Sequence, residues 1–346
     1  MPLALLPWLG PTWLLRASPQ RPVTSQETAT LDRQSLDALL QDLGDDPNRD
    51  LKGVVVLRRG TVVGERYFNG DDATTLHDIR SATKSITALL MGIAIDRHLV
   101  ASVDDPIGTY LPGLPEDGKH HIRIRDLLTM RSGLAADDDD PASPGNEDRL
   151  DESEDWVKSL FAVPVKSPPG QTYLYSSLNA FIAGAIIENA AKLPLDEFAR
   201  RYLFRAIGVE RFSWRRVPIN RVTGQGNLRI TTRDAAAIGQ LVLRRGQWQQ
   251  AQVVSSAWIA ESLAGRVPIA QVDPYADAYG YMWYSKEERV GDRPVLVHFA
   301  SGNGGNKIYV IPSKDMVIAI TSSAYGTGYG QRRSQTIMRR ILAAAE

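Results

Sequence analysis

Apolar and polar positions follow several distinct rhythms along the chain. Leu31, Leu36, Leu39, Leu40 and Leu43 recur at helical spacing, and Asp45-Asp46-Pro47 closes that segment. Residues 51–57 form a short β-branched run, Arg59-Gly60 reads as a turn, and 61–68 continues the pattern, so a hairpin is predicted. Residues 81–97 contain no proline and one glycine and are apolar on most sides, which predicts a buried helix. Asp105-Pro106 opens a short turn or helix, and a short helix over 124–130 ends near Gly133. Helical spacing returns over 177–191, 195–203 and 232–243. The last of these has Thr231/Thr232 as N-cap and Asp234 in its first turn. Strands are predicted over 279–284, 295–300, 308–311 and 316–321, and a closing helix over 334–345. Between these elements, Asp137 to Arg149 is a polar loop with four consecutive aspartates, and Pro168-Pro169-Gly170 is a second break.

The order of the elements suggests the architecture. Two strands come first, a long helical middle follows, and at least three strands and a helix end the chain. Strand runs that do not alternate with helices favour an antiparallel sheet. The expectation is therefore an α/β fold of the α+β type. Its antiparallel sheet has about five strands, flanked by the N- and C-terminal helices, with a large helical domain inserted. The sheet domain would combine 31–78 with 271–346, the helical domain would be 79–270, and an active site would lie in the cleft between them.

Composition narrows the function classes. The chain has 346 residues, 43% apolar and 23% charged, ordinary for a globular protein. Its 40 basic and 40 acidic residues cancel, which speaks against nucleic acid as the main partner. There is no cysteine, so a thiolate nucleophile, a thiolate metal site and disulfides are excluded. Residues 3–15 are apolar but too short to span a bilayer, and Pro7 and Pro11 interrupt them. Residues 1–30 read either as an export-signal remnant with a linker or as a hydrophobic arm. The first reading would place the protein in a bacterial periplasm or outside the cell, the second in the cytoplasm.

Ser81-Ala82-Thr83-Lys84 holds the candidate chemistry. On a helix, positions i and i+3 share a face, so a hydroxyl and an amine would point into one cleft. For Lys84 to act as a base near neutrality, its pKa would have to fall by about 3 units. Ser81 at a helix start would also present its own unpaired backbone N–H to an oxyanion. A capping serine followed by a surface lysine is the bland alternative. No Gly-x-Ser-x-Gly elbow and no His-Glu-x-x-His pair is present. His120-His121 lies in a polar connector, and His298 reads as a packed strand residue. Two later segments add to the picture. Tyr175 lies just before a predicted helix, and Ala300-Ser301-Gly302-Asn303 ends a predicted strand.

These three segments, in this order, resemble the serine β-lactamase and penicillin-recognising superfamily. Ser81 to Lys84 matches its Ser-x-x-Lys motif, Tyr175-Ser176-Ser177 its Tyr-x-Asn motif, and Ala300-Ser301-Gly302 its Lys-Thr-Gly motif. The resemblance covers roughly 31–346 and is supported by residues 127–134, Asp104-Asp105-Pro106 and Pro169-Gly170. It implies Ser81 as nucleophile, with Lys84 and Tyr175 as the proton-transfer pair. The backbone N–H groups of Ser81 and Asn303 would form the oxyanion hole. Ser177, Ser301 and Gly302 would contact substrate, with Ser177 bonding Lys84 or a substrate carbonyl. No metal or cofactor is implied. Ser177 replaces the second-motif Asn and Ala300 the third-motif Lys, which argues against efficient hydrolysis of penicillins or cephalosporins. Tyr-Ser-Ser, Met130-Arg131-Ser132-Gly133-Leu134 and Ser143-Pro144-Gly145-Asn146-Glu147-Asp148 look most like the 6-aminohexanoate-dimer hydrolase and esterase branch. The implied activity is hydrolysis of small esters and linear amides. A β-lactamase or D-alanyl peptidase and a catalytically silent binding protein are the alternatives. The Asp137–Asp140 run is read as a solvated loop or as a cleft rim that attracts a substrate ammonium.

Overall fold

The structure, a computed structural model, describes residues 33–115, 117–153, 155–217 and 221–345. The expected N-terminal arm or export signal lies outside the described residues. Helix α1 (Arg33–Asp42) leads into strands β1 (Leu51–Arg58) and β2 (Thr61–Tyr67). Helices α2 (Ala82–Asp96), α3 (Ser177–Ala191), α4 (Thr232–Leu243) and α5 (Ser256–Leu263) follow, separated by short helical turns and loops. The chain then returns to the sheet through β3 (Val267–Pro268), β4 (Ala278–Tyr279), β5 (Tyr284–Val290), β6 (Arg293–Gly302), β7 (Asn306–Ile311) and β8 (Met316–Ser322). It ends in α6 (Tyr329–Ala343).

The sheet is antiparallel, in the order β3-β4-β5-β6-β7-β8-β1-β2. The sheet therefore has eight strands, not about five, and both ends of the chain contribute to it. Its centre is covered on both faces, which explains why β7 and β8 are buried at every position and read as continuous apolar runs. α1 packs on β2, and α6 on β7, β5 and β8. α4, although it falls within the stretch expected to be the helical domain, packs on β8, β7 and β1.

One predicted strand is broken. Over 279–284 the chain leaves β4 in a turn, with Gly280 N–H donating to Trp283 O at 2.8 Å and Met282 at φ 56°. It re-enters the sheet as β5, whose sequence Tyr-Ser-Lys-Glu-Glu-Arg-Val looks too polar to be buried. Glu288 is nonetheless buried, because Arg339 and Gln335 on α6 donate to its two oxygens at 2.8 and 2.7 Å. The helices expected over 177–191 and 232–243 have those bounds, and Thr231 and Asp234 form a reciprocal capping box.

α2 positions the site. It is buried from Ala82 to Ala94, packed against α3 and β6. An apolar helix enclosed on all sides cannot turn about its axis without breaking its packing, so the residue at its first turn has a fixed orientation.

Candidate active site

Ser81 is the residue immediately before α2, and its side chain does not cap the helix. The residue before it, Arg80, has φ 50°, a left-handed conformation that costs a non-glycine residue roughly 1–3 kcal/mol. Neighbouring contacts hold it there. Arg80 N–H donates to Asp78 Oδ1 at 2.8 Å, and its guanidinium lies 4.2 Å from the Tyr325 ring. The Tyr325 hydroxyl in turn donates to Asp78 O at 3.1 Å.

Lys84, 2% exposed, lies one turn into the helix. Its Nζ donates to Ser81 Oγ at 2.9 Å, to Ser177 Oγ at 3.0 Å and to the Gln225 carbonyl at 2.9 Å. Three acceptors use all three protons of an ammonium. Burial pulls the Lys84 pKa down, but Tyr175, Glu147 and Asp138 together outweigh it and the net shift is upward. The lysine is set beside Tyr175 and two carboxylates rather than among other cations, which would lower its pKa.

Tyr175 ends the extended stretch before α3, half-buried, with its ring centroid 5.1 Å from Lys84 Nζ. Ser177 begins α3 and is fully buried. Of the two partners open to it, its hydroxyl takes Lys84. It is not among the residues that line the cavity described below.

Gly302 ends β6 against the start of α2. A Cβ there would lie 2.0 Å from Ile79 O and 3.2 Å from Ala82 N. The next residue, Asn303, is exposed. Its side-chain Oδ1 accepts from Gly326 N–H at 3.0 Å, and its carbonyl accepts from Asn306 Nδ2 at 2.9 Å. Among the described residues, neither Ser81 N–H nor Asn303 N–H donates to a protein acceptor.

These groups open on a cavity of about 600 Å³. Its lining includes five carboxylates: Asp138 and Glu147, which act on Lys84, Asp273, which acts on Lys307, and Asp139 and Asp148. Of the four-aspartate run, only Asp138 and Asp139 line it. Asp140 forms a turn by accepting from Ala142 N–H at 2.9 Å. The loop is held in place: Asn146 Nδ2 donates to the Asp137 and Asp138 carbonyls at 3.0 and 3.1 Å. Asp138 Oδ2 accepts from Ser177 N–H at 2.7 Å at the positive end of α3. Burial pushes the Asp138 pKa up to about 6, with Lys84 opposing and Glu147 adding to the rise.

The lining also carries Ser301, Gln331 and Lys307. Ala300 is fully buried and pairs across the sheet with Ile308, while Ser301 pairs with Lys307. Lys307 Nζ donates to Ser301 Oγ at 2.8 Å. The sequence reading took the site to lack a third-motif cation. The missed signal was cross-strand register: residues opposite each other in a tight hairpin share a face. Burial pulls the Lys307 pKa down to about 7, partly offset by Asp273. His298 and His120 lie away from this cavity's lining, and His120 Nε2 is 2.7 Å from Leu114 O.

The fold and the motif order define the class. Residues 36–340 match the family described as Beta-lactamase, and the chain belongs to that family of hydrolases. It is 24% identical to a 6-aminohexanoate-dimer hydrolase of Paenarthrobacter ureafaciens over 330 residues, covering 89% of this chain and 80% of that protein. It is 29% identical over 143 residues to an Escherichia coli protein provisionally named a D-alanyl-D-alanine carboxypeptidase, covering 39% of this chain and 33% of that one. A solved class C β-lactamase mutant superposes with a TM-score of 0.68 at 16% identity, covering 90% of this chain and 97% of that one.

Proposed function

We propose that the protein is a serine hydrolase of small carboxylic esters and linear amides, acting through an acyl-enzyme on Ser81. The observation that carries this reading is the Lys84 ammonium donating at once to Ser81 Oγ and Ser177 Oγ, with Tyr175 beside it. A serine hydroxyl needs a base to become a nucleophile. Lys84, with its three protons committed, orients the Ser81 oxygen and stabilises negative charge nearby. Tyr175 is the group left to take the proton.

In acylation Tyr175 reacts as a phenolate balanced by the Lys84 ammonium: Ser81 Oγ bonds to the substrate carbonyl carbon and its proton passes to the phenolate oxygen. The carbonyl oxygen, now anionic, is received by Ser81 N–H and Asn303 N–H. Collapse breaks the bond to the leaving oxygen or nitrogen, which takes the proton from Tyr175. Water then attacks the acyl-enzyme through the same relay and restores Ser81. The carboxylates of the lining suit a substrate that carries an ammonium, as an aminohexanoate oligomer does.

A β-lactamase or D-alanyl peptidase is the second reading. The absence of a lysine at 300 counts against it, but Lys307 beside Ser301 weakens that objection. The test compares wild type with Ser81→Ala on p-nitrophenyl acetate and butyrate, nitrocefin and a 6-aminohexanoate dimer. Ester turnover abolished by Ser81→Ala, with slow nitrocefin turnover, is expected. Turnover that survives in the variant would overturn the nucleophile, and rapid nitrocefin turnover would favour the second reading. No turnover of any substrate would favour a binding protein.

A further inference from the structure

We propose that Lys307 is the anion-binding residue of this cavity, where its ammonium and Ser301 Oγ receive a carboxylate on a substrate whose scissile carbonyl lies at Ser81. The proposal rests on the hydrolase reading for the second half of that sentence only.

Three lysines are buried among the described residues, and their partners differ. Lys84 uses all three protons on protein acceptors. Lys119 is paired with Asp117. Lys307, 3% exposed, donates only to Ser301 Oγ, and no carboxylate of the described residues lies within ion-pair distance of it. Its other neighbours are aromatic faces, with Nζ 4.6 Å from the Phe299 ring centroid and 6.0 Å from that of Tyr275. An ammonium taken out of water and left with unused protons is costly unless something completes it. A lysine kept only for packing would be more stable as a methionine.

Position indicates what completes it. Lys307 lines the same cavity as Ser81; the carboxylate that acts on it is Asp273, whereas Asp138 and Glu147 act on Lys84. A carboxylate would be repelled by Asp138, Asp139 and Glu147 and drawn to Lys307, so the cavity can orient a ligand that has opposite charges at its two ends. Ser301 can serve the same group, because its hydroxyl accepts from Lys307 and has a proton to give. At present that proton has only a long contact, 3.5 Å, with Gln331 Oε1.

The test measures a ratio, kcat/KM for a carboxylate-bearing ester over that for its neutral methyl ester. Mono-p-nitrophenyl adipate carries the carboxylate on the acyl side, and 4-acetoxybenzoate carries it on the leaving group. In at least one pair, Lys307→Met is expected to lower the ratio about 10- to 100-fold, the range for a lost charged hydrogen bond. A structural role would lower both members together and leave the ratio unchanged, and that result overturns the proposal. In the wild type the same ratio should fall as pH rises through about 7, because the ammonium is lost while the carboxylate stays charged. A ratio that stays flat from about pH 6 to about pH 11, past the ordinary lysine value of about 10.4, overturns the proposal even if the variant fails to fold. Titration of hexanoate against hexanamide separates this inference from the hydrolase reading. Preferential hexanoate binding that Lys307→Met abolishes, in a protein that cleaves no ester, keeps the anion site and rejects the hydrolase. Equal binding of both, in a protein that cleaves esters through Ser81, does the reverse.

Discussion

Gly302→Ala tests the geometry on which catalysis would depend. The new Cβ would sit 2.0 Å from Ile79 O. Carbon and carbonyl oxygen rest no closer than about 3.3 Å, so the end of β6 must retreat from α2 by roughly 1 Å. The obstacle is backbone, which cannot swing aside as a side-chain tip can. Overpacking of this kind costs about 1–3 kcal/mol of stability. The effect on catalysis is separable from that cost. Asn303 N–H follows Gly302 directly and moves with it, while Ser81 stays with the buried helix. Loss of one oxyanion donor lowers kcat about 10²- to 10³-fold. The assay is kcat on p-nitrophenyl butyrate beside Tm, with Gly239→Ala as the control. A Cβ at 239, on α4, would lie 2.5 Å from Val317 Cγ1 and 2.9 Å from Ile308 Cγ2, none of the three being in the cavity's lining. The control should lose Tm and keep kcat; Gly302→Ala should lose both. A Gly302→Ala enzyme within about threefold of wild-type kcat would refute the placing of an oxyanion donor at 303.

Three other outcomes are expected. The native state holds the Asp138 proton up to about pH 6, whereas an unfolded carboxyl releases it near 3.8. Native stability therefore falls by up to about 3 kcal/mol as pH rises across that window, and Asp138→Asn, which cannot lose a proton there, should gain on wild type over the same interval in chemical denaturation at stepped pH. Ser177→Ala removes one of the three acceptors of a buried ammonium and should destabilise by about 1–3 kcal/mol while lowering kcat. An unchanged kcat would show that Ser177 does not help to hold the lysine. Combined Asp139→Asn and Glu147→Gln should raise KM for the 6-aminohexanoate dimer, through its ammonium end, more at low salt than at high salt, and a salt-independent KM would remove these carboxylates from substrate recognition.

Much of this was legible in the sequence, for identifiable reasons. α3 and α4 carry their start signals locally, Ser176 and the Thr231–Asp234 box, so their bounds follow from neighbouring residues alone. Ser81, Lys84 and Tyr175 lie on or just before helices, where spacing fixes direction. What was not legible depends on pairing between distant segments. β5 reads as surface because its buried glutamate is satisfied by α6, residues further along the chain. The upward shift at Lys84 depends on Tyr175, Glu147 and Asp138, none of them local. The break at 280–283 follows from contacts with Leu128 and Ser262.

The hairpin between β6 and β7 has a consequence for how such sites diverge. Three residues, Asn303-Gly304-Gly305, join the strands, with φ 86° and 91° at the two glycines, and Asn306 ties the far side to Ser322. This turn sets which residue of β7 faces Ser301. Shortening the chain there by one residue, with the turn geometry kept, would turn Lys307 to the other face of the sheet and bring the apolar Ile308 to the cavity. The charge of the pocket is therefore encoded as a length, in three residues that carry no charge. An insertion or deletion in the turn could recast substrate preference while every motif residue stayed the same.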